Sequence, residues 1–105
     1  MATSDIKPFV SPWHPMTDPV DLKHIGKLME ELGEATSAAA RCQIQGIDES
    51  EPVTGKPNRE WLEDELADVE AGIKLAKERF KLDAQRMDER REKKIVQLRQ
   101  WHNMA

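Results

Sequence analysis

Five carboxylates in two short segments are the residues of this chain whose types and spacing suggest chemistry. The segment Lys27-Leu28-Met29-Glu30-Glu31-Leu32-Gly33-Glu34 carries three of them, and Glu65-Leu66-Ala67-Asp68 carries two. Spacing alone does not single them out. Glu60 and Glu63, and again Glu89 and Glu92, repeat the same interval in a chain that is 34% charged. The discriminating property is the helix face each acid occupies, at about 100° per residue.

With Glu31 at zero, Cys42, Ala35, Leu28, Ala39, Leu32 and Ile25 fall between about +20° and +120°. Glu34 sits about 60° to the other side, and Glu30 lies further round toward the polar face. With Glu65 at zero, Ala76, Val69, Leu62, Phe80, Ile73 and Leu66 fall between about +20° and +100°. Asp68 takes the place that Glu34 took, whereas Glu60 and Glu63 face the opposite side. Each helix thus has one acid inside its apolar stripe and a second at the rim.

A charge that faces a core is costly unless it is paired or coordinates a metal. Carboxylates brought together repel and raise one another's pKa. A hard divalent cation with oxygen ligands relieves both conflicts. The two segments therefore read as one metal site. The plainer reading pairs these acids with basic groups at a helix interface or leaves them on a solvated face.

These acids must be positioned by a small chain. At 105 residues one domain is expected. It divides into an arm (1–18), two motif-bearing helices (19–81) and a C-terminal helix (82–105). The expected fold is all-α, a helical bundle completed by oligomerisation, with an extended N-terminal arm. Two or three helices cannot cover the apolar stripes, so self-association as a homodimer or homotetramer is expected. The formal net charge of -4 argues against binding a nucleic acid polymer. It does not exclude nucleotides, because metal ions bridge acids to phosphates. The single cysteine, Cys42, excludes a disulfide within the chain and reads as a small core residue. No stretch approaches the roughly 20 apolar residues of a membrane span. The first residues lack a signal-peptide core. A cytoplasmic location is expected.

In chain order, Pro8, Pro12, Pro15 and Pro19 prevent any long helix in the arm. The arm carries Phe9, Trp13 and His14. Trp13 reads either as an anchor onto the bundle or as a surface on which a nucleobase stacks, with His14 beside it to hydrogen-bond base or phosphate. Asp18-Pro19 starts a helix that runs to about Gln45 and stops at Gly46. Gly33, beside the acids, suggests close approach of another helix or a ligand. Residues 46–58 form a long polar connection that reads either as part of the mouth of the site, with Lys56 available to phosphate, or as a passive linker. Asn58 is expected to cap a second helix over Arg59 to about Lys81. Along it, Lys74 and Lys77 lie about 180° and 120° from Glu65, and read either as solvated helix charges or as groups within reach of a triphosphate on a neighbouring subunit. Asp83 is expected to cap a charge-rich third helix to about Asn103, with a thin seam of Met87, Ile95, Leu98 and Trp101.

Glu30-Glu31-Leu32-Gly33-Glu34 followed by Glu65-Leu66-Ala67-Asp68 resembles the MazG-like, all-α nucleoside triphosphate pyrophosphohydrolases, a superfamily that includes the all-α dUTPases and dCTP pyrophosphatases. The resemblance covers roughly residues 20–80, and the Trp13-His14 arm is similar to an aromatic base-binding element of the dCTP-pyrophosphatase type. It implies that Glu31, Glu34, Glu65 and Asp68 bind Mg²⁺, with Mn²⁺ as a substitute. Glu30 and Glu31 are then the candidate catalytic acids. Trp13, His14, Lys74 and Lys77 are the candidate substrate-binding residues. The implied reaction converts a nucleoside triphosphate to a monophosphate and pyrophosphate, in nucleotide-pool control of the kind that phages also encode. Deoxynucleotides are the expected substrates, purine deoxynucleotides such as dGTP or dATP among them.

A Nudix hydrolase would give similar products, but its motif needs Arg-Glu where Gly26-Lys27 stands. A ferritin-like di-iron bundle needs Glu-x-x-His pairs, and none is present. The main rival is a non-enzymatic helical oligomerisation or adaptor module, which the charge-rich third helix favours.

Overall fold

A computed structural model describes residues 8–105. The first seven residues of the arm lie outside it. Residues 8–18 form no helix, and Trp13 and His14 within them are exposed. Three helices follow: α1 (Pro19–Gln45), α2 (Asn58–Phe80) and α3 (Ala84–Trp101). No strand occurs among the described residues. The all-α expectation holds, as do the helix positions to within a few residues.

The start of α1 is set by Asp18, whose Oδ1 accepts from the backbone N–H groups of Val20 at 2.8 Å and Asp21 at 3.0 Å. Pro19 loses nothing there, because a first-turn N–H has no helical partner. The end is set by Gly46 at φ +107, where its N–H donates to the Cys42 carbonyl at 2.9 Å. A side chain at that φ would be strained.

α1 and α2 form an antiparallel hairpin, tied at both ends. At one end, the Arg79 guanidinium donates to Asp21 Oδ1 at 2.7 Å and to Asp18 Oδ1 at 3.1 Å. At the other, Asn58 does not cap α2 as the sequence suggests. Pro57 occupies the cap position without a side-chain bond. The Asn58 side chain is instead fully buried and donates to the Gln45 side chain at 3.2 Å and the Gly46 carbonyl at 3.0 Å. A residue that the local code reads as a cap serves as a cross-link, because the open end of α1 stands beside it. Cys42 is half-buried next to it, its thiol 3.6 Å from the Asn58 carbonyl, in keeping with a packing role.

Only Ala38, Val69 and Ala76 are buried apolar residues among those described. The close approach between the helices is at Gly72, where an added Cβ would meet Leu28 Cδ1 at 3.3 Å. Gly33, the sequence's candidate for that role, would meet nothing within 4 Å.

α2 ends on Lys81 in the left-handed region, with its N–H on the Lys77 carbonyl. Asp83 then caps α3 through the Arg86 N–H at 2.9 Å. No residue of α3 is buried. The radius of gyration is 20.4 Å, whereas a packed domain of this length has about 13 Å.

Candidate metal centre

Glu31 lies near the middle of α1 and Glu65 and Asp68 on the facing part of α2. The antiparallel pairing brings one carboxylate oxygen from each to within 4.8 Å of the others. The sequence wheel explains the meeting. Both helices put an acid at the same edge of the buried stripe, and the hairpin sets those edges side by side.

The environment of these oxygens is unfavourable for bare carboxylates. The Glu31 side chain is only 18% exposed. One oxygen of Glu31 and one of Glu65 are buried with no hydrogen-bond partner. Burial, and then the charges of Glu34 and Asp68, push the Glu31 carboxyl above the usual carboxylate range. Lys27 opposes this from 3.7 Å, but its closer partner is Glu30 at 3.0 Å. Buried unpaired carboxylate oxygens are a costly arrangement, and a divalent cation with oxygen ligands satisfies them. The donor set fits Mg²⁺ or Mn²⁺ in chemical type.

Glu34 stands outside that triad of oxygens but close enough to raise the Glu31 carboxyl. Glu30 is exposed and ion-paired to Lys27.

Two clefts flank the carboxylates. One, of about 440 Å³, has Glu31 and Asp68 at its edge, with Lys23, His24 and Lys27 along α1 and Leu75 and Gly72 along α2. The other, of about 490 Å³, lies between Glu34, Glu65, Arg41 and Trp61 and is closed by Glu51 and Thr54 of the connection. A larger groove of about 860 Å³ is only the open side of α3, from Leu82 to Leu98, and holds none of the five acids.

The connection between α1 and α2 does stand beside the site, as expected. It is organised by Glu51, whose carboxylate accepts from Val53 N–H at 2.9 Å, Thr54 N–H at 2.6 Å and Thr54 Oγ1 at 2.7 Å. These bonds hold the Glu51 carboxyl below its usual range. Lys56 is engaged within the chain: its ammonium lies 4.1 Å from the Trp61 ring centroid and pairs with Asp64 at 2.5 Å.

The remaining candidates are dispersed. Trp13 and His14 line neither cleft, and Trp13 is 80% exposed, so it does not anchor the arm to the bundle within this chain. Lys74 is exposed, Lys77 is half-buried, and neither lines a cleft beside the acids. The basic and aromatic groups that do are Lys23, His24, Lys27, Arg41 and Trp61. A signal for most of them existed. On the helical wheel all but His24 fall on the side of Glu31 or Glu65 where Glu34 and Asp68 lie.

No protein-family model, curated protein or solved structure matches the chain.

Proposed function

We propose that the protein is a metal-dependent nucleoside triphosphate pyrophosphohydrolase that works as a homodimer or homotetramer on deoxynucleoside triphosphates in nucleotide-pool control. The observation that carries this reading is the convergence of Glu31, Glu65 and Asp68, with two buried oxygens left unpaired. The motif resemblance supplies the reaction class.

In this reading Glu31, Glu65 and Asp68 hold Mg²⁺ or Mn²⁺, with Glu34 at the rim as a fourth acid. Such a cation neutralises phosphate charge and makes water more acidic. Water adds across the bond between the α and β phosphates, giving a monophosphate and pyrophosphate, and its surplus proton passes to a carboxylate. The carboxylate that takes it is Glu31, inside the stripe, or Glu30 beside it. Glu30 is ion-paired to Lys27, so proton transfer to it requires that pair to open.

The test is pyrophosphate release from a panel of ribo- and deoxyribonucleoside triphosphates, with Mg²⁺, with Mn²⁺ and with chelator. Metal-dependent release with a monophosphate product supports the reading, and the ranking names the substrate. No release from folded protein, with no Mg²⁺-dependent rise in Tm, discards it. A helical adaptor module is then the better account, since α3 presents a charge-rich helix with no buried residue.

A further inference from the structure

Resting on that reading, we propose that the polyphosphate of the substrate extends from the carboxylates into the cleft bordered by Lys23 and Lys27, with the nucleoside on the opposite, Trp61 side. The two clefts divide the metal-binding acids, Glu31 and Asp68 on one and Glu65 on the other, and differ in the charge that remains. Once Glu31, Glu65 and Asp68 are committed to a cation, the first cleft retains Lys23, Lys27 and the imidazole of His24. The second retains Arg41 against Glu34 and Glu51.

Lys23, Lys27 and Glu31 are successive i, i+4 neighbours on one face of α1, so the two ammonium groups lead away from the acids in a row. Lys27 is partly spoken for by Glu30 and Glu31. Lys23 has no ion-pair partner among the described residues. The acids nearest to it in sequence, Asp18 and Asp21, are taken by Arg79. An unpaired ammonium beside a metal site is a phosphate ligand in type. A triphosphate tail turned the other way would meet Glu34 and Glu51, with Arg41 as counter-charge and the Lys56 ammonium over the Trp61 ring already paired with Asp64. An uncharged base suffers no such repulsion there and gains the Trp61 wall.

The experiment is calorimetric titration of the full chain with inorganic triphosphate in the presence of Mg²⁺. Lys23 is the clean position, since altering Lys27 also frees Glu30. Lys23→Ala is expected to weaken triphosphate binding about tenfold, one ionic contact's worth, while leaving the Mg²⁺-induced rise in Tm intact. Lys23→Arg is expected to restore most of the affinity, and Arg41→Ala to leave it unchanged. Wild-type affinity in Lys23→Ala together with a large loss in Arg41→Ala would reverse the orientation. An absence of triphosphate binding by the wild type overturns the subsite as well. Because pyrophosphate release and the Mg²⁺ shift are read separately, either failure is distinguishable from failure of the pyrophosphohydrolase reading.

Discussion

Glu31 combines three influences that disfavour a bare carboxylate: low exposure, an unpaired buried oxygen, and the nearby charges of Glu34 and Asp68. If these residues hold a cation, Glu31→Gln, Glu65→Gln and Asp68→Asn are each expected to lower pyrophosphate release by roughly 100-fold or more, since several kcal/mol of charge stabilisation depend on the ion. All three are also expected to remove the Mg²⁺-dependent rise in Tm. Glu30→Gln separates ligation from proton transfer. If Glu30 is the base, turnover falls while the Mg²⁺ shift survives. The raised Glu31 carboxyl also has a sign in stability. The folded state keeps that proton to higher pH than the unfolded chain, so stability is fully present below the ordinary carboxylate range and is lost as pH rises through the elevated value. Asp18 and Glu51 act oppositely, because hydrogen bonds lower their carboxyls and their contribution is lost on acidification. The difference in Tm between wild type and Glu31→Gln, followed from pH 4 to 8 in chelator, isolates the Glu31 part. It is expected to move in favour of the glutamine variant as pH rises, and Mg²⁺ is expected to erase that trend. A flat difference would mean that Glu31 is not under strain.

The hairpin that carries the acids is held by few groups, so its fastenings are exposed to test. Asn58 donates twice across the end of α1 and is fully buried. Asn58→Ala removes the bonds to the Gln45 side chain and to the Gly46 carbonyl, which keeps only the Glu49 N–H at 3.2 Å, at a cost of about 1–3 kcal/mol read from denaturant unfolding. Asn58→Asp keeps the shape but replaces the donor with acceptors, and it should do no better. A change below about 0.5 kcal/mol in both would mean that the end of α1 finds other partners. The cleft wall built by Glu51 follows separate logic. Its bonds to Val53 and Thr54 shape the connection but span only a few residues, so Glu51→Ala should alter substrate handling more than stability.

For the molecule as a whole, the problem is uncovered apolar surface. In α1 Leu22 is 50% exposed, Met29 67% and Leu32 47%, and in α2 Leu66 is 48% exposed. Apart from Asp21, every charged residue of α1 lies from the Glu31 position round to the side of Glu34, which leaves the opposite flank without charge. Leu22, Ile25, Met29, Leu32, Thr36 and Ala39 follow alternating steps of three and four along that flank, the pattern of a helix seam. With three buried apolar residues among those described, the core is small for this length, and self-association is the proposed way of covering the rest. Sedimentation is expected to give a mass at least twice the 12.0 kDa of one chain. Leu32→Glu is expected to shift it toward the monomer and lower Tm. A wild type that sediments as one stable chain, unaffected by this change, would show that the flank needs no cover. Among the described residues, no helix is long and apolar enough to cross a membrane.

The sequence by itself determined the helices and the pairing of their acid-bearing edges. Asp18, Gly46 and Asp83 are local signals acting on their own backbone within a few residues, and stripe position follows from a fixed 100° step. That is why Glu31, Glu65 and Asp68 could be brought together on paper. Only the tertiary structure decided what depends on the relative depth and end-matching of two helices. It turned Asn58 from cap to cross-link and moved the close approach from Gly33 to Gly72. It also placed Lys23, Lys27, Arg41 and Trp61 around the acids, where the sequence pointed to Lys74, Lys77, Trp13 and His14. Angular position along one helix says which side a residue faces. It does not say what stands opposite, because that is fixed by how far one helix slides along the other.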